Sequence, residues 1–234
     1  MILFLAAVLA VTAPASTCPD VVTPEAFVCR ALEASNAGEP EAAATAFEQA
    51  ALATADGDPA KARMLAAAGN MWIAANQPGK AALALDKALI GNVLQAEQRG
   101  EALLDRARAA EAQNDLKTAR AKLNEAAASI SADPFYWYFS AALAIREGHA
   151  PTAQYAIGRA LSLAPTDPTI LFEAGHVAHF AGDLAKARGY WTQASQFDAN
   201  GPVGKAALEA LKLLSAPANK AAPVTPQVQP AKAK

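Results

Sequence analysis

Residues 134–167 read PFYWYFSAALAIREGHAPTAQYAIGRALSLAPTD, and residues 168–201 read PTILFEAGHVAHFAGDLAKARGYWTQASQFDANG. The two stretches are one pattern written twice. Each is entered through an Asp-Pro pair, Asp133-Pro134 and Asp167-Pro168. Asp caps a helix N-terminus, and Pro suits the first turn, where its missing N–H costs nothing. About three turns of apolar periodicity follow in each. A short polar break then carries Gly148 or Gly182. Glycine suits the left-handed residue that ends a helix. A second amphipathic segment completes the unit, so each unit reads as two antiparallel helices.

The pattern continues upstream. Five stretches align as second helices: GEPEAAATAFEQA (38–50), NQPGKAALALDKA (76–88), NDLKTARAKLNEA (114–126), GHAPTAQYAIGRA (148–160) and GDLAKARGYWTQA (182–194). Each opens with Gly or Asn and places Ala at one position: Ala43, Ala81, Ala119, Ala153 and Ala187. Those alanines are 38, 38, 34 and 34 residues apart. A second series follows seven residues on: Ala50, Ala88, Ala126, Ala160 and Ala194. Between the two lies a large apolar residue: Phe47, Leu85, Leu123, Ile157 and Trp191. The first helices are expected at 24–36, 62–75, 100–113, 134–147 and 168–181. Their eighth residues are all small: Ala31, Gly69, Ala107, Ala141 and Gly175. Small residues facing small residues let paired helices approach closely.

This arrangement resembles the tetratricopeptide repeat (TPR), a helix–turn–helix unit of 34 residues with small and large positions in this order. The resemblance covers 24–201 as five units: 24–57, 62–95, 100–133, 134–167 and 168–201. The unit at 134–167 fits best, through Trp137, Ala141, Ala153, Ile157, Ala160 and Pro165. Two departures stand out. The first two spacings of 38 ask for longer second helices or wider loops. The Tyr usual at the eleventh place is replaced by Ala34, Trp72, Ala110, Ala144 and Ala178. After the last unit, 202–215 reads as one amphipathic helix, with Leu208, Leu211 and Leu214 among Lys205, Glu209 and Lys212. An open solenoid end needs such a cap. The expected fold class is therefore all-α: a TPR α-solenoid of about five repeats with a C-terminal capping helix.

Composition agrees. The chain has 234 residues, 53% hydrophobic but only 6% aromatic, and much of the apolar content is Ala, the best helix former. Its 20 Lys and Arg against 22 Asp and Glu argue against a nucleic-acid binder built on a basic face. Residues 1–15, MILFLAAVLAVTAPA, are too short for a membrane span and suit a signal peptide cleaved after Ala15, although no Lys or Arg precedes the apolar run. The expected location is periplasmic, or anchored at the inner membrane if the segment is uncleaved. Export would place Cys18 and Cys29, in and just after the segment 16–23, in an oxidising compartment, where they are candidates for a structural disulfide. Residues 216–234 form a Pro/Ala/Lys tail with three Lys and no acid, expected to be disordered.

The resemblance implies a concave groove lined by the first helices, where a protein or peptide partner lies. Carried onto this chain, the groove places give Arg63 and Asn70 near the N-terminus and Glu101, Arg108 and Glu111 in the middle. The C-terminal zone is aromatic: Phe135, Tyr138, Phe172, His176, His179 and Phe180. Such residues bury area yet tolerate water, as binding surfaces require. One TPR subset clamps the carboxylate tails of chaperones with Lys, Asn and Arg. Asn70 fits one of its places, but Asp105, Phe135 and Phe139 stand where the others belong, so that clamp is not expected. Glu101, Asp105, Arg106, Arg108 and Glu111 read as a salt-bridged helix face.

No nucleophile elbow, phosphate loop or zinc-protease motif occurs. The pair His176 and His179 could share a helix face and hold a metal, with Glu173 as the one plausible further ligand. Neither a metal nor a cofactor is expected. The expected function is a non-enzymatic interaction scaffold of the bacterial cell envelope. The alternatives are a tethered or cytoplasmic TPR adaptor, or a metal-binding or enzymatic module built on the groove histidines.

Overall fold

The computed structural model describes residues 17–215. The expected signal peptide and C-terminal tail lie outside these residues. Eleven helices and no strand occur among the described residues: α1 (Pro24–Asn36), α2 (Pro40–Ala53), α3 (Pro59–Ala74), α4 (Pro78–Ala88), α5 (Ala96–Ala112), α6 (Leu116–Ile130), α7 (Pro134–Arg146), α8 (Ala150–Leu163), α9 (Pro168–Phe180), α10 (Leu184–Phe197) and α11 (Pro202–Ser215). None is long and apolar enough to cross a membrane. The helices fall into two compact units, divided after Ser131. The first holds the hairpins α1/α2, α3/α4 and α5/α6; the second holds α7/α8, α9/α10 and α11.

One local device makes all five hairpins. The first helix ends on a residue with positive φ: Gly38 (75°), Asn76 (56°), Asn114 (61°), Gly148 (79°) or Gly182 (81°). The next backbone N–H then reaches back to a carbonyl five residues earlier. Glu39 N donates to Ala34 O at 2.9 Å, Gln77 N to Trp72 O at 2.8 Å, and Asp115, His149 and Asp183 repeat the bond at 2.9 Å to Ala110, Ala144 and Ala178. This left-handed turn satisfies carbonyls that a helix end otherwise leaves open.

The entries are capped as expected at three sites: Thr23 Oγ1 accepts from Ala26 N at 3.3 Å, Asp133 from Phe135 N at 2.8 Å, and Asp167 from both Thr169 N and Ile170 N at 2.8 and 3.0 Å. A fourth cap changes the expected boundary. Asp58 accepts from Ala60 N at 2.8 Å, so α3 begins at Pro59 rather than at residue 62. Likewise α5 begins at Ala96 rather than at residue 100. The 38-residue spacings are thus absorbed by earlier first helices. Between α4 and α5 a wider loop adds to this, with Leu94 buried and Arg99 Nη1 donating to Leu89 O at 3.2 Å and Gly91 O at 3.0 Å. The second helices are not lengthened: α2, α8 and α10 each have 14 residues and α4 only 11.

Asp115 and Asp183 cap second helices, accepting from Thr118 N and Lys186 N at 3.0 Å. Bonds from the Thr118 hydroxyl and backbone N–H lower the Asp115 pKa below 3.8. The Lys186 backbone N–H, then its ammonium, do the same for Asp183. A depressed carboxylate pKa means the stabilisation is fully present above about pH 3.8 and is lost as pH falls through the lower folded value. Hydrogen exchange is expected to show α6 and α10 fraying at their starts only below pH 3.8. Replacement by Asn, which caps without titrating, removes that dependence.

Both alanine series are buried without exception, at 0–1% exposure. Where small residues were expected to face small ones, the first-helix glycines instead face large residues of the paired helix. A Cβ added to Gly69 would collide with Leu85, and one added to Gly175 would fall inside the indole of Trp191. In the first unit, Ala81, Leu85 and Ala88 pack with Trp72, Ala102 and Ala109. In the second, Ala153, Ile157 and Ala160 pack with Ile170, Ala174 and Val177, and Trp191 packs with Leu171, Ala187, Ala207 and Leu211. Helix α11 is started by Asp198, whose Oδ2 accepts from Val203 N at 3.0 Å and Gly204 N at 3.1 Å.

Ahead of α1, Cys18 is joined by a disulfide to Cys29 within α1, with Cα atoms 5.7 Å apart. Arg30 holds the same segment, donating to Pro19 O at 3.3 Å and Val21 O at 3.0 Å while its guanidinium lies 4.5 Å from the centre of the Phe27 ring.

Candidate functional site

The two units carry different chemistry on their first helices. In the first unit, Asp105 joins two of the expected groove residues. Asn70 Nδ2 donates to Asp105 Oδ2 at 2.8 Å, and Arg108 Nη1 donates to Asp105 Oδ1 at 2.8 Å. Asp105, expected on a salt-bridged helix face, does pair with Arg108 of that face and in addition reaches α3 through Asn70. Arg106 departs from expectation. It does not join the α5 charged face but turns to α4, gripping Asp86 through Nε at 2.7 Å and Nη2 at 3.3 Å. Residues two apart on a helix point about 200° around from one another, so Arg106 and Arg108 serve different sides. Arg63 is exposed.

In the second unit, α7 and α9 are buried around most of their circumference. What stays open is a stripe at helical spacing. On α7 it runs through Phe135, Tyr138, Ala142 and Arg146. On α9 it runs through Thr169, Phe172, His176, His179 and Phe180. All six expected aromatic and histidine positions therefore lie on open stripes, with Phe135 38% and Phe180 41% exposed. Trp137 packs against Tyr155 and the core, and Phe139 is buried, so neither belongs to the stripe.

The rings touch in two groups. Phe135 stacks on Tyr138, with centroids 5.1 Å apart and planes 27° apart. Phe172 meets His176 edge-on at 4.4 Å, and Trp191 reaches His176 at 5.6 Å and His179 at 5.9 Å. Trp191 Nε1 donates to Phe172 O at 3.0 Å, which pins the indole under the stripe. The repeat pattern marked Trp191 only as the large apolar residue between Ala187 and Ala194. It serves both roles, as packing partner and as floor.

Beside this cluster lies Glu173, only 8% exposed, with Oε2 3.3 Å from His176 Nδ1. It is the only formally charged residue of α9. That isolation, three residues before a histidine, was the available signal for its special position. Among the described residues, no group of three or more His, Cys, Asp or Glu side chains is gathered as a metal would require.

No family model matches the chain, and no curated protein does. Solved structures do. The type IV pilus biogenesis factor PilW is similar over 79% of this chain and 82% of its own, at 19% identity and a TM-score of 0.66. MamA from Desulfovibrio magneticus RS-1 is similar over 76% of this chain and 97% of its own, at 16% identity and a TM-score of 0.60. YrrB, described as a TPR protein with an unusual peptide-binding site, is similar over 80% and 91%, at 18% identity and a TM-score of 0.57. Repeated turns, buried alanine series and these likenesses agree: the chain has the all-α tetratricopeptide-repeat fold.

Proposed function

We propose that the chain is a non-enzymatic protein-interaction scaffold whose second unit receives a partner peptide or helix along the open stripes of α7 and α9. One observation carries this reading. Two otherwise buried helices leave aromatic rings and histidines as their open side, where a merely solvated face would carry charges and small polar groups. Aromatic side chains anchor interfaces because they bury much area with few rotatable bonds. The peptide-binding site named for YrrB and the pilus-biogenesis role named for PilW support a binding role on this fold. The place of work is the cell envelope. Residues 1–15 have the pattern of an export signal, and a disulfide at Cys18 and Cys29 suits an oxidising compartment.

The test begins with a partner identified by cross-linking in envelope extracts. Tyr138→Ala with Phe172→Ala is expected to weaken its capture by about tenfold or more, with the helical circular dichroism unchanged. Loss of the helical signal would show these rings to be core residues, and unchanged capture would move the site elsewhere.

A further inference from the structure

Glu173 is a largely buried acid on an apolar helix, its side chain 11% exposed, and its polar partner is a single imidazole, His176, at 3.3 Å. No Lys or Arg salt bridge reaches it among the described residues. Burying an anion is costly unless a positive charge and hydrogen bonds compensate it. An imidazole supplies one hydrogen bond, and no formal charge while it is unprotonated. That imidazole belongs to a group of rings. Phe172 lies 4.4 Å from His176, and Trp191 lies 5.6 Å from His176 and 5.9 Å from His179. His176 and His179 are open to solvent, so the cluster is reached from the stripe side. A buried acid beside an imidazole that meets an aromatic ring is the complement of a cationic side chain. The rings attract the cation through their quadrupoles, and the carboxylate accepts its N–H groups.

We infer that the α9 stripe recognises a basic side chain, arginine above lysine, presented by the partner segment, with Glu173 as its counter-ion and His176 and Phe172 as its walls. Arginine is favoured because its planar fork both stacks on rings and pairs with carboxylate. The inference rests on the binding role proposed above and names the chemistry of the partner. It is the reverse of the chaperone clamp, which holds an acidic group on basic residues.

The test uses the full chain and two small probes, N-acetyl-arginine amide and its neutral isostere N-acetyl-citrulline amide. The chain has only three histidines, so the imidazole proton resonances of His176 and His179 can be followed singly. Arginine amide is expected to shift them saturably, and citrulline amide to bind about tenfold more weakly or worse. Glu173→Gln, which keeps the shape, is expected to abolish the difference between the probes. Equal shifts from both probes, no saturable shift from either, or an undiminished preference in Glu173→Gln would each overturn the inference. Partner capture separates this failure from that of the wider reading. Capture lost in Tyr138→Ala with Phe172→Ala but kept in Glu173→Gln leaves the binding face standing and removes the cation site.

Discussion

Trp191→Ala is expected to lower the unfolding free energy by about 3–5 kcal/mol, the range for emptying a buried aromatic site. The indole is 4% exposed and touches two neighbouring helices at once. It fills the space left by Gly175 on α9, packs with Ala207, Leu211 and Leu214 of α11, and donates to Phe172 O at 3.0 Å. Removing it opens a void between α9 and α11 and takes the floor from under His176 and His179. Gly175→Ala attacks the same contact from the other side. Its Cβ would fall inside the ring, so α9 and α10 must separate, at about 1–3 kcal/mol. The two positions are therefore coupled. Gly175→Ala combined with Trp191→Leu should cost clearly less than the sum of the two single changes, because the smaller side chain vacates the space the methyl needs. Urea unfolding followed by circular dichroism measures all four proteins. Strict additivity would show that the small-against-large match does not hold these helices together.

How much of this was legible beforehand follows from the kind of information each feature needs. The five turns and two alanine series depend on local backbone chemistry and on one periodicity, so Gly148, Asn114 and Ala153 announce themselves. The start of α3 was carried by Asp58-Pro59, the same signal used at Asp133-Pro134, but the repeat register hid it. The start of α5 had no such signal. Gln95 makes no side-chain cap, and Arg99 bonding to the loop carbonyls of Leu89 and Gly91 can be seen only in three dimensions. The aromatic stripe was readable because repeat position dictates which residues of a first helix stay open. The pairing of Arg106 with Asp86 and of Asn70 with Asp105 was not, since each joins helices whose relative rotation periodicity leaves undefined. Glu173 was visible as a residue but not as a buried one. Burial depends on what packs over α9, whereas the sequence reports only that the helix is apolar.

Reduction of Cys18–Cys29 is the second large effect, and it bears on where the protein works. The bridge closes a short loop of separation 11, worth about 2–3 kcal/mol in the chain-entropy model. In a repeat fold each hairpin leans mainly on its neighbours, so the loss should stay local. Without the bridge, the segment before α1 depends on Arg30 bonding to Pro19 O and Val21 O and on Thr17 N donating to Glu33 Oε1 at 3.1 Å. These contacts are exposed and individually weak. Hydrogen exchange on the Cys18→Ser, Cys29→Ser chain should therefore show α1 losing protection while α7–α11 keep theirs. Unchanged protection of α1 would mean the bridge stabilises nothing the other contacts do not. The same thiols report the compartment. Protein taken from cells into alkylating reagent should carry no modified cysteine, appear in the periplasmic fraction and begin at Ser16. Two alkylated thiols on a chain that still begins at Met1 would instead place it in a reducing compartment, where the clasp on α1 could not form.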